Sequence, residues 1–291
     1  MKDTLILRGR PITSDDLTLI QSLIKEHWQK GRKFISQELC HHWQWYQPNG
    51  NLKDMAAREI LLRLQRMGLI ELPPARSNGN NSRRNQSIPI PEITQTPLEG
   101  KLSQFSPPEI KMVRHTPLEP LYNSLIHHYH YLGYHQIVGA HLKYMAFIND
   151  QIVACLGFCS PAWRVSCRDH FIGWSDEIKA KNLHLIVQNN RFLILPHVKI
   201  PHLASKLLSL NIKQIQKDWF KYYGHPIYLL ETFVDQSRFK GTSYKASNWI
   251  LVGETKGFTK KGNISLYHGI IKDVYLYPLG VKDFRRFLLR Q

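Results

Sequence analysis

Cysteine, acidic residues and long apolar runs are all scarce in this chain of 291 residues. Four cysteines do not make the disulfide framework of a small secreted domain, and the spacing CLGFC lacks the paired C-x-x-C knuckles of a zinc ribbon. No stretch approaches the roughly 18 uncharged apolar residues of a membrane span. No signal-peptide core follows the N-terminus, so we expect a cytoplasmic protein without membrane contact.

The shortage of acid sets the sign of the charge. Lys and Arg total 39 against 22 Asp and Glu, which gives a net charge of +17, and 15 His can add positive charge locally. A surplus of this size predicts attraction to a polyanion, most often nucleic acid. The 43% of hydrophobic residues supply enough apolar surface for the chain to fold rather than remain disordered.

Helical patterns dominate the first 72 residues. Cap-type residues from Thr13 to Asp16 precede apolar positions at helical spacing and predict a helix over residues 14–28, and Ser36 is a candidate cap for a second helix. The run NLKDMAAREILLRLQRMG predicts a third helix that ends at Gly68, and LIEL then reads as a short strand. The stripe predicted to face inward is Leu52, Met55, Ala56, Ile60, Leu64 and Met67.

Three helices followed by a strand is the order of a winged helix-turn-helix, which we predict for residues 1–73. Cationic side chains punctuate the third helix outside its apolar stripe, and we expect this helix to dock on DNA. These side chains are Lys53, Arg58, Arg63 and Arg66. The alternative is a three-helix packing module whose arginines only solvate a surface.

A change of composition marks the domain boundary. Residues 74–100 are rich in Pro, Asn, Ser and Gln and predict a linker, after which residues 101–291 predict a mixed-sheet α/β domain. KYMAFIND and QIVACLGFCS read as a hairpin joined at Asn149 and Asp150, RFLILP and IYLLETFVD as further strands, and FKGTSYKASNW as a short helix.

Two carboxylates lie on the strand IYLLETFVD. Alternation puts Glu231 and Asp235 on the same face, but about 13 Å apart, which is too far for both to chelate one metal without a bend. Glu231 is the more informative residue, because a carboxylate among apolar neighbours requires a partner. It is either a functional carboxylate or a buried glutamate satisfied by Arg191 or a tyrosine hydroxyl.

Other polar side chains gather in two segments. HHYHYLGY brings His127 and His130 to one helix face as a metal or proton-relay pair, although no H-E-x-x-H pattern accompanies them, and the alternative is that they are separate surface histidines. In NNRFLILP, Asn189, Asn190 and Arg191 could hold a phosphate or carboxylate, or could only cap the sheet edge.

Several of these segments together resemble the DruA family of Druantia anti-phage defence systems, which is also met beside mobile elements. The resemblance rests on HYLGY, FIGW, NNRFLILP with PHLAS, ETFVD with FKGTSYKASNW, and KDVYLYPL. It extends to SQELCHHWQW and QPNGNLKDMAAREILLRLQRMGLIELP, so it covers nearly the whole chain.

The element order of residues 101–291 also resembles a GNAT-like acyltransferase fold, with RFLILP as its fourth strand and ETFVD as its fifth. In that fold, coenzyme A binds at a glycine-rich turn before a helix. Here no glycine lies between Gly173 and Gly224 and the turn reads VKIPHLAS, so we do not expect coenzyme A to bind.

The resulting hypothesis is a DNA-binding protein of anti-phage defence or of a mobile element, acting with other defence proteins, whose sheet domain cleaves or modifies DNA. The candidate catalytic residues are Glu231, Asp235, His130 and Tyr244, with Mg²⁺ or Mn²⁺ as the candidate ion. The candidate DNA-binding residues of the sheet domain are Asn190, Arg191 and Lys245. The alternative is an acyl- or aminoacyl-transferase with Glu231 as general base and a donor other than free coenzyme A.

Overall fold

The computed structural model describes residues 5–47, 50–75, 88–91, 93, 96–261, 264–267, 269–280 and 283–290. The chain divides into two compact units, residues 1–86 and 87–291. Most of the predicted linker, at residues 76–87, 92, 94 and 95, lies outside the described residues. Its end is not a simple connection, because a short strand at Leu98–Glu99 pairs in parallel with Val198–Lys199.

A hairpin and three helices form the first unit. Their bounds are β1 (Leu5–Leu7), β2 (Arg10–Ile12), α1 (Ser14–Glu26), α2 (Gly31–His42) and α3 (Asp54–Arg66). Thr13 and Asp16 form a capping box at the start of α1, as the cap residues predict. Apolar residues of all three helices share one core, which Ile70 and Leu72 complete.

Three sequence predictions for this unit are corrected. Helix α2 begins at Gly31, and Ser36 lies buried inside it with its hydroxyl bonded to the Lys33 carbonyl. The buried face of α3 is Ala57, Ile60, Leu61 and Leu64, which leaves Met55 and Met67 exposed.

The predicted strand LIEL is absent from the described residues 69–72. Its apolar side chains at Ile70 and Leu72 enter the core, but the backbone is not paired with another strand. A winged helix needs strands after its third helix, and no strand follows α3 in the described residues up to 75. The winged helix therefore stays a prediction.

The second unit is a mixed α/β structure, as the sequence predicts. Its strands are β3 (Leu98–Glu99), β4 (Glu109–Met112), β5 (His141–Ile148), β6 (Gln151–Cys159), β7 (Ile186–Ile194), β8 (Val198–Lys199), β9 (Leu229–Asp235), β10 (Ile250–Glu254), β11 (Phe258–Lys261), β12 (Ile264–Tyr267) and β13 (Lys272–Pro278). Its helices are α4 (Glu119–Tyr129), α5 (Ser166–Ile172), α6 (Asp176–Asn182), α7 (Leu203–Tyr223), α8 (Thr242–Lys245) and α9 (Phe284–Leu288).

A seven-stranded sheet is the framework of this unit, in the order β10-β13-β9-β7-β6-β5-β4. All neighbouring strands are antiparallel except β7 and β9, which are parallel. The hairpin β5–β6 turns at Asn149 and Asp150, both with positive φ, as the turn residues predict. Strand β7 begins at Ile186, five residues before the predicted RFLILP.

Helices cover both faces of the sheet. Adjacent residues of β9 belong to different clusters: Leu229 packs with α5 and α9, whereas Leu230 packs with α7. Because successive strand residues point to opposite faces, these clusters lie on opposite sides. Helix α4 and the ends of β6 and β7 share a further core.

Candidate functional site

The parallel strands β7 and β9 separate halfway along their length. Their pairing runs from Ile186 with Leu229 to Asn189 with Thr232 and goes no further. Beyond this point β7 remains bonded to β6 and β9 to β13, so a gap opens at the carboxyl ends of the two strands. Open α/β sheets bind ligands outside the carboxyl ends of their strands, which makes this gap the first candidate site.

A β-bulge lies where the strands separate. Gly157 of β6 faces Arg191 and the following residue, Phe158, faces Asn189, so Asn190 is the extra residue on β7. A Cβ at position 157 would lie only 2.8 Å from Asn190 Oδ1, and glycine leaves that space to the bulge. Bulges re-aim side chains beside functional sites.

A cavity of about 640 Å³ lies in the gap between β7 and β9, and we call it the split pocket. Among the described residues that line it there is no Asp or Glu. The cationic side chains are Arg191, Arg238, Lys240 and Lys272. The aromatic ones are Tyr129, His130, Tyr131, Phe192, Phe233, Phe239 and Tyr244. This combination suits an anionic ligand that carries flat rings.

Arg191 brings its charge to the pocket, and no described acidic residue forms an ion pair with it. Its Nε donates to the Gly133 carbonyl at 3.1 Å and its Nη1 to the Asn190 carbonyl at 2.7 Å. Burial lowers the pKa of the guanidinium. In the described part of the chain, none of the four lining cations forms a salt bridge. Their charge is therefore available to a ligand.

His130 lines the pocket as a neutral imidazole. Burial lowers its pKa to about 4, and the charges of Arg191 and Arg238 act in the same direction. Its Nδ1 accepts a hydrogen bond from the Leu132 N–H, with 3.2 Å between the two nitrogens, so the ring proton is on Nε2. His130 is thus a hydrogen-bond donor at neutral pH rather than a proton acceptor.

Tyr244 also lies in the pocket as a neutral group. Its hydroxyl donates to Asn189 Oδ1 at 2.6 Å and accepts from Thr232 Oγ1 at 3.4 Å. Burial raises the pKa of this phenol. The bonds join β7, β9 and α8 at the point where the strands separate, which fixes the floor of the pocket. Lys245, the next residue, is exposed and is not part of the lining.

Glu231 lies away from the pocket, in contrast to the expected catalytic position. It is fully buried, with Oε2 2.8 Å from Arg168 Nη1 and Oε1 3.0 Å from the Ala162 N–H. Burial raises its pKa, and Arg168 and the Ala162 N–H oppose that rise. The expected alternative of a satisfied buried glutamate thus describes its surroundings, with Arg168 in place of Arg191.

Asp235 ends β9 and holds the loop that follows. Its Oδ1 accepts from the Ser237 N–H at 3.0 Å and from the Ser237 hydroxyl at 2.6 Å, and its carbonyl accepts from the N–H groups of Arg238 and Phe239. The aspartate is nearly buried and does not line the pocket. It therefore positions residues that do line it.

Two of the four cations predicted to dock α3 on DNA are neutralised locally. Arg58 pairs with Asp54 at 3.2 Å and Arg63 with Glu59 at 3.1 Å, each within the helix. In the described residues, Arg66 is exposed and has no acidic partner, and Lys53 Nζ lies 5.9 Å from the Trp45 ring. The four do not form one uncompensated surface.

Three pocket residues that were not predicted from the sequence are Arg238, Phe239 and Lys240. They lie in the loop QSRFKG, where an aromatic residue stands between two cations and no acid, a signal that the sequence does contain. The expected histidine pair is absent, because His130 is the residue after α4 and lies in extended backbone. No group of three or more His, Cys, Asp or Glu within the described ranges could hold a metal ion. Within the same ranges, no helix has both the length and the apolar character that a membrane span requires.

Comparisons with known proteins give a family and a set of structural likenesses. A family model described as Druantia protein DruA matches residues 63–264. Among curated proteins, none matches this sequence.

Several acetyltransferases are among the solved structures similar to this chain. A probable acetyltransferase from Staphylococcus epidermidis is 12% identical, with 59% of this chain and 99% of that chain covered and a TM-score of 0.39. A GNAT family acetyltransferase from Elizabethkingia anophelis, solved with acetyl-CoA bound, is 12% identical over 60% and 99% of the chains, with a TM-score of 0.36. An N-acetyltransferase from Staphylococcus aureus Mu50 is 13% identical over 60% and 99%, with a TM-score of 0.35. At these identities and TM-scores, no activity of this chain follows from the likeness.

Proposed function

Because the chain belongs to the DruA family of Druantia proteins, we propose that it is a DNA-binding protein of bacterial anti-phage defence or of a mobile element. Its second unit holds DNA at the split pocket. One observation carries the proposal: the described lining has four cations, none of them in a salt bridge, and no carboxylate. The phosphate groups of nucleic acid supply the negative charge that these four cations require.

The first unit contributes a second contact with DNA in this proposal. Arg66 is the best candidate on α3, since it is exposed and, in the described residues, unpaired with acid. Arg58 and Arg63 are weaker candidates, because a phosphate must compete with Asp54 and Glu59 for them.

Cleavage or modification of DNA by Glu231 and Asp235 does not form part of the proposal. Glu231 is enclosed by Arg168 and the Ala162 N–H, and Asp235 is bonded to Ser237. Neither carboxylate lines the split pocket. Glu231 therefore holds Arg168 and the segment at Ala162 in place, and Asp235 holds the loop at Ser237 in place.

Acyl transfer is supported less well than DNA binding. The gap between β7 and β9, with its bulge at Asn190, gives a ligand access to the centre of the sheet. This access is the observation that favours a transfer reaction. A general base must lie within reach of the substrate, however. Glu231 does not line the pocket, His130 presents an N–H, and Tyr244 is a protonated phenol.

Binding of DNA as a function of salt tests the proposal. We expect the full-length protein to bind labelled duplex and single-stranded DNA at low ionic strength, with an affinity that falls steeply as salt rises. Titration with acetyl-coenzyme A in a calorimeter provides the comparison. Absence of DNA binding at low salt, with retention of acetyl-coenzyme A, would replace the proposal with acyl transfer.

A further inference from the structure

The loop from Gln236 to Gly241 forms one wall of the split pocket and carries an exposed aromatic ring. Phe239 is 50% exposed and lies between Arg238 and Lys240, all three in the pocket lining. About half of the Phe239 side chain is therefore open to contact by a ligand that enters the split pocket.

Rings and cations gather around Phe239. Its ring centroid is 5.5 Å from that of Tyr131, which in turn stacks on His130 at 4.8 Å. The Arg238 guanidinium lies over the Tyr131 ring, with Cζ 4.7 Å from the centroid. Phe239 therefore contacts Tyr131 with the two rings tilted by 57°, while half of its surface remains open to solvent.

The loop is held in place before any ligand arrives. Asp235 accepts bonds from the Ser237 N–H and hydroxyl, and its carbonyl receives the N–H groups of Arg238 and Phe239. Gly241 ends the loop at φ +67°, and a Cβ there would collide with the Tyr275 hydroxyl. A fixed aromatic residue loses little conformational entropy when a ligand stacks on it.

We infer that Phe239 is a stacking platform for an unpaired base of single-stranded DNA, and that Arg238 and Lys240 bind the phosphates on either side of that base. This inference rests on the proposed function and specifies the form of DNA that the pocket takes. Base faces inside a duplex are covered by their neighbours, so only an unpaired base can lie on Phe239. Stacking on aromatic residues tolerates every base, since each has a flat face.

The donor groups of the pocket fit this ligand. His130 presents its Nε2–H at neutral pH, and the described lining offers no carboxylate that would repel a phosphate. Arg191 adds a charge that is held by main-chain carbonyls rather than by acid. The platform, the donors and the cations thus lie in one cavity.

A fluorescent adenine analogue within a short single-stranded oligonucleotide reports the stacking directly. On binding to the full-length protein, we expect its fluorescence to be quenched. Phe239→Ala should abolish the quench and weaken single-strand binding about tenfold, whereas Phe239→Trp should retain both. Duplex of the same sequence should bind Phe239→Ala and the unmodified protein equally well.

Phe220→Ala is the matched control, because Phe220 is 57% exposed on α7 and does not line the pocket. If Phe239→Ala quenches the fluorescence of the adenine analogue and binds the single-stranded oligonucleotide as Phe220→Ala does, the platform is refuted. Duplex binding without single-strand binding would also refute the platform while leaving the proposed function intact. Loss of both forms of binding in the unmodified protein would refute the two together.

Discussion

Arg168 and Glu231 form an ion pair in which both side chains are fully buried, with Nη1 of the arginine 2.8 Å from Oε2 of the glutamate. The same guanidinium donates to the Ala162 carbonyl at 2.7 Å, and the Ala162 N–H donates to Glu231. The pair thus joins the segment after β6 to the centre of β9.

This arrangement makes Glu231 a determinant of stability. We expect Glu231→Gln to lower the free energy of unfolding by about 3 kcal/mol, because Arg168 loses its fully buried counter-charge and keeps the partly exposed Asp169. DNA affinity should be unchanged while the protein is folded. Urea denaturation and DNA binding well below the unfolding midpoint measure the two effects.

A double variant separates this role from a catalytic one. Arg168→Met with Glu231→Leu removes both charges and should recover part of the lost stability. A Glu231→Gln protein with normal stability and lost DNA processing would contradict the structural role.

Gly157 is expected to be sensitive to the addition of one methyl group. A Cβ there would lie 2.6 Å from the Tyr122 hydroxyl and 2.8 Å from Asn190 Oδ1, two buried atoms that have no hydrogen-bond partner among the described residues. We predict that Gly157→Ala destabilises the protein by about 2 kcal/mol. Tyr122→Phe removes the nearer oxygen and should be close to neutral alone. Thermal denaturation should show that Gly157→Ala combined with Tyr122→Phe is more stable than Gly157→Ala alone. Equal stability of the two proteins would mean that the Tyr122 hydroxyl does not cause the destabilisation.

His130 should titrate far below an ordinary histidine. Burial, Arg191 and Arg238 lower its pKa from 6.5 to about 4, so the unfolded chain takes up the proton first and acidification below 6.5 destabilises the fold. NMR of the imidazole nitrogens, assigned with His130→Gln, measures this pKa. DNA in the pocket should raise it, since phosphate adds negative charge. A value near 6.5 in the free protein would contradict the burial described.

The buried Lys143 makes stability depend on Glu119 and on pH. Burial would raise the pKa of Glu119, but the bond from Lys143 at 2.7 Å and the His115 N–H outweigh it and lower the pKa. The stability from this pair is therefore present above pH 4.5 and is lost as the pH falls through the lowered pKa. We expect Glu119→Gln to cost about 2 kcal/mol at neutral pH and much less in acid.

An exposed pair serves as the control for that experiment. The Glu109 carboxylate forms an ion pair with Lys111 at 3.6 Å and most of its side chain is in solvent, so Glu109→Gln should have little effect at any pH. Urea denaturation at neutral pH and below pH 4.5 compares the two variants. Parallel pH profiles for Glu119→Gln and unmodified protein would contradict the assignment.

Local patterns in the sequence predicted several elements of the second unit. The turn at Asn149 and Asp150 and the strand carrying Glu231 follow from turn residues and apolar runs, which act within a few positions along the chain. The prediction of a strand at LIEL was wrong because a strand needs a partner strand. Whether a partner lies beside it depends on the fold and not on the local sequence.

The candidate site was predictable only in part. Asn190, Arg191, His130 and Tyr244 do line one pocket, which their distance along the chain did not reveal. Glu231 has the same sequence signature whether it faces a substrate or Arg168, because alternation identifies a face and not what covers it. The separation of β7 from β9 depends on pairings between distant segments.

A comparison of two charge-matched variants tests the central claim most directly. One changes Arg191, Arg238 and Lys272 to Gln in the split pocket; the other changes Lys213, Lys217 and Lys221 to Gln on the exposed side of α7. Both lower the net charge equally, and DNA affinity is measured over a range of salt concentrations. We predict that the slope of log affinity against log salt concentration falls in the pocket variant by the equivalent of about three phosphate contacts. In the α7 variant this slope should be nearly unchanged. Equal losses in the two variants would contradict the claim that DNA binds at the split pocket.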